Sequence, residues 1–127
     1  MTKIPEELKY SKDHEWVKVE DEIATIGITD YAQNQLTDIV FIELPEKGKM
    51  AEEGKNIATV ESVKSVSDVF SPINGEIVEI NESLSDSPEK INKDCYGEAW
   101  IAKIKIKDKS ELASLMSAED YKKSIEE

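Results

Sequence analysis

The chain has 127 residues, the length of one ordinary domain, enough for a modest core and too short for two. Lys and Arg total 16 against 28 Asp and Glu, and the resulting net charge of −12 argues against nucleic acid and anionic membranes as partners and suits docking on basic patches. One cysteine, Cys95, excludes an internal disulfide framework and a cysteine-based metal cluster and fits a reducing compartment.

The chain opens on a polar lead-in, residues 1–13. Met1 to Leu8 hold no apolar stretch and carry two early acids, Glu6 and Glu7, so they read as neither a signal nor a transit peptide. No run approaches the ~20 apolar residues of a membrane span, and a cytoplasmic protein is expected. Trp16, Val17, Lys18 and Val19 alternate as a strand does, Glu20 to Glu22 turn, and Ile23–Ile28 read as the returning strand. Thr29 is placed to cap a short helix, Asp30–Gln35, with Asp30 favouring the positive end of its dipole. Asp38–Leu44 is β-rich and ends at Pro45. Gly48 and Gly54 bracket a polar loop and a short strand, after which Asn56 to Val60 runs up to a lysine.

That lysine, Lys64, stands in the run Val60, Glu61, Ser62, Val63, Lys64, Ser65, Val66. Read as strand, turn and strand, the run pairs around Val63, so that Val60 faces Val66 and Ile57 faces Val69. Lys64 is then at or beside the tip of a hairpin, pointing into water. A helix is the rival reading, since Val60, Val63, Val66 and Val69 recur every three residues. That period drifts off the 3.6-residue stripe of a buried helix face. The valines and the serines Ser62, Ser65, Ser67 and Ser71 are also poor helix formers. The turn holds no glycine, so a type I variety is expected.

Beyond the hairpin, Pro72–Gly75 reads as a turn, Gly75–Asn81 as a strand and Glu82–Lys93 as a polar loop. In the strand Ala99–Ile106, Ile104 and Ile106 oppose Lys103, Lys105 and Lys107. The tail changes period. Ser110 is placed to cap Glu111–Met116, and Ser117 to Asp120 has the spacing of a capping box that starts a second short helix to about Ile125. Leu44–Val60 and Ile73–Ile80 echo each other, each a glycine turn leading into strand, loop and strand. Two similar halves joined through the lysine hairpin, with turns at close intervals, point to a mainly β small barrel or sandwich.

The residues offer no catalytic kit. His14, the single histidine, could act as a general base beside Glu15, but an exposed or hydrogen-bonded structural role is the plainer reading. One His and one Cys cannot build a zinc site, and no glycine-rich phosphate loop runs from a strand into a helix. No basic residue adjoins Cys95 to activate it. Trp16 and Trp100 read as core anchors. Lys64 is the exception, a primary amine presented alone on a hairpin tip to a modifying enzyme.

Val60 to Lys64, continued by Ser67, Asp68, Ser71, Pro72 and Gly75 to Asn81, resembles the lipoyl-lysine segment of the glycine cleavage system H protein family. The likeness extends through His14 to Val17, Ala24 to Gln33 and Val40 to Pro45, and ends with Tyr96 and Trp100. It covers nearly the whole chain. Cys95 falls where the resemblance implies no functional residue, and Asp13 precedes the His-Glu-Trp run where small polar residues also occur.

The resemblance implies a barrel-sandwich hybrid of the biotinyl/lipoyl-carrier type. It would have two pseudo-symmetric halves, a short helix in the N-terminal half and a C-terminal helix. One lipoyl-carrier domain would span residues 1–127, with the lipoyl hairpin at about 57–70 and the helical tail at about 110–125. It further implies a carrier that catalyses nothing itself, with (R)-lipoate in amide linkage to Lys64. The implied partners are the pyridoxal-phosphate decarboxylase (P protein), the tetrahydrofolate-dependent aminomethyltransferase (T protein) and the flavin dihydrolipoyl dehydrogenase (L protein). A lipoyl ligase or octanoyl/lipoyl transferase would recognise the hairpin through Glu61, Ser62 and Val63. Glu15 and Asp68, with Asp13 as a third, are the residues expected to line a cleft that shelters the loaded arm. Handing lipoate on to 2-oxoacid dehydrogenase subunits is a second reading. A biotin carrier, which shows methionines around its lysine, fits less well with Val63 and Ser65 as neighbours.

Overall fold

Apolar residues at alternate positions build strands whose inner faces have to meet, and here they meet between two antiparallel sheets. The computed structural model describes residues 3–125, so Met1 and Thr2 of the expected lead-in lie outside the described residues. The strands are β1 (Lys9–Tyr10), β2 (Glu15–Glu20), β3 (Ile23–Ile28), β4 (Ile39–Glu43), β5 (Met50–Ala51), β6 (Asn56–Ser62), β7 (Val66–Phe70), β8 (Gly75–Ile80) and β9 (Ala102–Ile106). One sheet has the order β1-β2-β3-β9-β8-β5 and the other β4-β6-β7. Ile26, Ile77 and Ile104 from the larger sheet and Ile42, Val60 and Val69 from the smaller belong to one buried cluster. Each such side chain contributes about 1.5–3 kcal/mol of burial. The mainly β barrel-sandwich architecture expected for a lipoyl carrier is what the chain adopts.

A second buried cluster joins the ends of the chain. Leu8, Tyr10 and Trp16 pack against Ala118 and Tyr121 of the C-terminal helix α4, which runs Ala118–Ile125 and follows α1 (Asp30–Leu36), α2 (Ser83–Asp86) and α3 (Lys90–Lys93). Tyr10 and Tyr121 stack with ring centroids 4.7 Å apart. The Trp16 indole N–H donates to the Cys95 carbonyl at 2.9 Å.

Several local expectations are corrected. The lead-in is not featureless, because β1 and the buried Leu8 and Tyr10 lie in it. The segment 82–93 is not a plain polar loop. Leu84 and Ile91 are fully buried and pull it into the single turns α2 and α3. β9 starts at Ala102, and Trp100 is only half-buried, with Lys103 Nζ 5.0 Å from its ring centroid. In the tail, Asp108 rather than Ser110 supplies the cap, accepting from Ser110 N, and the turn Lys109–Ser114 is a 3₁₀ helix. The Thr29 cap forms as expected, with its hydroxyl accepting from Ala32 N at 3.2 Å, and so does the Ser117 cap, accepting from Asp120 N at 3.2 Å.

Gly75 lies where β8 meets β9, and a Cβ there would run into the Lys105 carbonyl oxygen and stand 2.6 Å from Ile104 Cγ2. Gly48 takes φ +94° with open space around it. We expect Gly75→Ala to destabilise the protein by about 3 kcal/mol. Gly48→Asn should cost under about 1 kcal/mol, because asparagine tolerates positive φ. Urea unfolding of the two variants checks the order, and equal midpoints would show that the β8–β9 approach is not the tight one.

Candidate functional site

The lysine tip is built by a serine. Ser62 N donates to Ser65 O at 2.8 Å, and the Ser62 hydroxyl accepts from Lys64 N at 3.3 Å and Ser65 N at 3.1 Å. Val63 and Lys64 are thus the two central residues of the turn. Neither takes positive φ, as the type I expectation requires. Val63 N is held in addition by Asp38 O at 3.0 Å, which ties the turn to the start of β4. The expected pairing around Val63 is one residue out. Glu61, not Val60, faces Val66, while Val60 faces Ser67, and Ala58 rather than Ile57 faces Val69 across an irregularity in β6. A one-residue slip exchanges the faces of a strand. The observed register keeps Val60 fully buried and leaves Val66 63% exposed. Lys64 is exposed, and the ion pairs among the described residues, Lys49–Glu46 and Lys103–Glu79, do not involve it.

Beside β7 lies a cleft of about 300 Å³. Its wall is formed by Asp13, His14 and Glu15 at the start of β2, by Tyr31 and Leu36 of α1, and by Ser67 and Asp68 of β7. The three carboxylates singled out in the sequence therefore line one space, although Asp68 is 53 positions from Glu15 in sequence. Their environments differ. Asp13 and Asp68 are exposed, and Asp68 accepts a long hydrogen bond from the Thr59 hydroxyl at 3.4 Å.

Glu15 is 2% exposed. One carboxyl oxygen is 2.5 Å from the Ser11 hydroxyl and the other accepts from Phe70 N at 3.2 Å. Burial pushes its pKa up to about 8, against the opposing pull of the Ser11 and Phe70 hydrogen bonds. Ser11 also accepts from Glu15 N at 3.1 Å, so residues 11–15 close a tight loop. Within it His14 adopts φ 69°, a left-handed conformation that turns the chain and directs Glu15 inward. The His14 ring is hydrogen-bonded, not free. Its Nδ1 is 2.9 Å from the Tyr121 hydroxyl, which is also 2.7 Å from Thr29 Oγ1, and the ring centroid lies 4.9 Å from that of Tyr31. Burial lowers the His14 pKa, with Asp13 opposing. Cys95 is buried and its thiol is pushed up to about 12 by that burial, which leaves it unreactive.

Ser11, Tyr31 and Tyr121 were not singled out from the sequence. The serine four residues before Glu15 was the only available signal, and the tyrosines come from segments 90 residues apart.

The raised Glu15 pKa has a definite sign. The folded protein holds a proton there that the unfolded chain releases above about pH 4.5. The contribution is therefore complete below pH 4.5 and is lost as pH rises through about 8, where the folded group ionises as well. Glu15→Gln keeps an acceptor for Phe70 N and removes the titration. The stability of the parent relative to this variant should decline between pH 5 and 8 in urea titrations, and parallel curves would count against a protonated Glu15.

Comparison with known proteins shows the family. The family model for the glycine cleavage H-protein matches residues 8–127. A glycine cleavage system H protein of Staphylococcus carnosus strain TM300 is 56% identical over 124 residues, covering 98% of both chains. One from Staphylococcus epidermidis is likewise 56% identical over 124 residues. A crystal structure of a glycine cleavage system H protein from Mycobacterium marinum superposes with TM-score 0.90 at 34% identity, over 98% of this chain and all of that one. The lysine hairpin, the two-sheet fold and the end-to-end likeness leave one assignment: the chain belongs to the glycine cleavage H-protein family of non-catalytic lipoyl carriers.

Proposed function

We propose that this chain, as one carrier unit over residues 1–127, bears (R)-lipoate in amide linkage on Lys64 and shuttles the aminomethyl group of glycine. The observation that carries the reading is the exposed Lys64 at the centre of a serine-braced turn. When bound, the dithiolane would supply a disulfide that is reduced and opened as one sulfur takes the one-carbon unit, leaving a dithiol that hands its two electrons on once the unit has left. The P protein would load the arm, the T protein would unload it with tetrahydrofolate, and the L protein would restore the disulfide. A lipoyl ligase or octanoyl/lipoyl transferase would attach the arm. No helix among the described residues is long and apolar enough to cross a membrane, and the cytoplasm is the proposed compartment.

The residues around the cleft do the sheltering. Asp68 is four residues from Lys64, about 13 Å along a strand, so an acylated lysine can fold back beside β7. The cleft is bordered by apolar Ile28, Leu36 and Val60 and by the acidic residues Asp13, Glu15 and Asp68. An ammonium held there favours the ionised form of a neighbouring carboxyl group. Docking of a cationic arm would then drive the proton off Glu15. Its partners Ser11 and Phe70 hold the resulting carboxylate in place.

Peptide mapping after treatment with lipoyl ligase, ATP and lipoate should find the adduct on Lys64 and none on Lys64→Arg, whose guanidinium is not acylated. An adduct on the arginine variant would refute the assignment. Asp68→Ala should leave folding and lipoylation intact. It should speed ammonia release from the loaded carrier about tenfold, the equivalent of ~1.4 kcal/mol of lost shielding. Wild-type decay in both Asp68→Ala and Glu15→Gln would rule out this cleft as the shelter.

A further inference from the structure

His14 carries the one imidazole of the chain and lines the cleft beside Glu15. Which ring nitrogen holds the proton decides whether it can act there as a base. The hydrogen bonds of its neighbours settle this. Tyr121 and Thr29 are both fully buried, and their hydroxyl oxygens are 2.7 Å apart. Thr29 Oγ1 already accepts from Ala32 N at 3.2 Å, and its own hydrogen finds no acceptor among the described residues except the Tyr121 oxygen. A buried hydroxyl hydrogen pairs where a partner is in reach, so Thr29 donates to Tyr121. Burial pushes the Tyr121 phenol up to about 12, so it keeps its hydrogen and donates it to His14 Nδ1 at 2.9 Å. Nδ1 is then the nitrogen with the lone pair, and Nε2 carries the hydrogen. Nε2 has no partner among the described residues, where no buried side-chain polar atom lacks one, so Nε2 is open to solvent. Burial also lowers the His14 pKa, which keeps the ring neutral.

We propose that Tyr121 is a positioning residue of the arm cleft: by donating to His14 Nδ1 it fixes the tautomer whose open nitrogen is a donor, and so denies the cleft an imidazole base that could deprotonate the aminomethyl ammonium. The inference rests on the reading of the cleft as the shelter of the loaded arm. The chemistry of the cargo shows why a base is harmful there. An ammonium on a carbon that also bears sulfur is stable while a proton holds the nitrogen lone pair. When a base removes that proton, the freed pair forms a C=N bond, and the C–S bond breaks with its electrons leaving on sulfur as a thiolate. Water then adds to the iminium, which separates into formaldehyde and ammonium, and the base gives its proton to the thiolate. An imidazole with its lone pair on Nε2 would be such a base. The titratable groups that face His14 are Asp13 and Glu15 of its own loop, Tyr31 of α1, Tyr121 of α4 and Asp68 across the cleft. Among the described residues only Tyr121 hydrogen-bonds the ring. The carboxyl groups can hold an ammonium as acceptors, and a proton-bearing Nε2 cannot take its proton. Tyr121 is itself held in place by its stack on Tyr10, with centroids 4.7 Å apart.

The first measurement needs neither the arm nor a partner. In ¹⁵N NMR of the unmodified full chain, His14 should appear at neutral pH as the Nε2–H tautomer, and Tyr121→Phe, which keeps the ring on Tyr10, should show a mixture of the two. An Nδ1–H tautomer in the parent would overturn the proposal without any variant. The second measurement follows ammonia release from the lipoylated chain, loaded with glycine by the decarboxylase and then separated from it. Tyr121→Phe should decay about tenfold faster than the parent at neutral pH, short of the roughly 100-fold of a base aimed at its proton. The acceleration should vanish as pH falls below about 5.5, where an imidazole is protonated. Adding His14→Asn, since asparagine tolerates the φ of 69° at this position, should remove most of it. A double variant as fast as Tyr121→Phe alone would mean that the phenol merely braces the cleft. That result, or parent decay in folded Tyr121→Phe, would overturn the proposal and leave the shelter standing. Parent decay as fast as that of the same adduct on the denatured chain would overturn the shelter and this inference with it.

Discussion

The two sheets are tied together at the site by one buried carboxyl group. Glu15 begins β2 of the larger sheet, and its side chain accepts from Phe70 N at the end of β7 in the smaller one. β7 is an edge strand, so alternate N–H groups lack a strand partner, and this one is met by a side chain from the opposite sheet. A buried acid is tolerable only when its polar atoms are satisfied. Ser11 and Phe70 satisfy it, and no buried side-chain polar atom among the described residues lacks a partner. The left-handed turn at His14 follows from the same constraint, because the chain has to reverse to bring Glu15 inward.

Near that carboxyl group β1 and α4 pack together. The stacked pair of Tyr10 and Tyr121 joins β1 to α4, and the Tyr121 hydroxyl meets both His14 and the cap residue Thr29. One phenol thereby connects the tail, the His14 turn and the start of α1. A cleft beside β7 and a short serine-braced turn suit a carrier. The lysine is held out where enzymes can reach it, and the space it would fold into is already formed without it.

The division of labour between polar and apolar surface is equally local. The inner face of the hairpin presents Val60 and Ser67, and its outer face presents Val66 beside Glu61 and Asp68 beside Thr59. Only the strand register separates these two surfaces, so a slip of one residue would exchange them. That register depends on the Ser62–Ser65 turn and on the Asp38–Val63 bond, contacts between a few backbone atoms that outweigh the valine repeat.

Read alone, the sequence already determined the β class, the Thr29 and Ser117 caps, the lysine hairpin and the membership of the H-protein family. Each of these depends on neighbours in sequence or on a run of motif residues. Only the tertiary structure decided the hairpin register, the helical turns around Leu84 and Ile91, the role of β1, and the state of Glu15. Burial by distant elements sets all four. Leu84 and Ile91 become helical turns because the core takes them at 0% exposure. Trp100, expected to be an anchor like Trp16, stays half-buried because β9 begins only after it. The resemblance sets Glu15 at a cleft and carries no sign that it is buried. Its proton affinity is raised because Ser11, Phe70 and the closing of two sheets remove it from water, and no local pattern in the sequence records that removal.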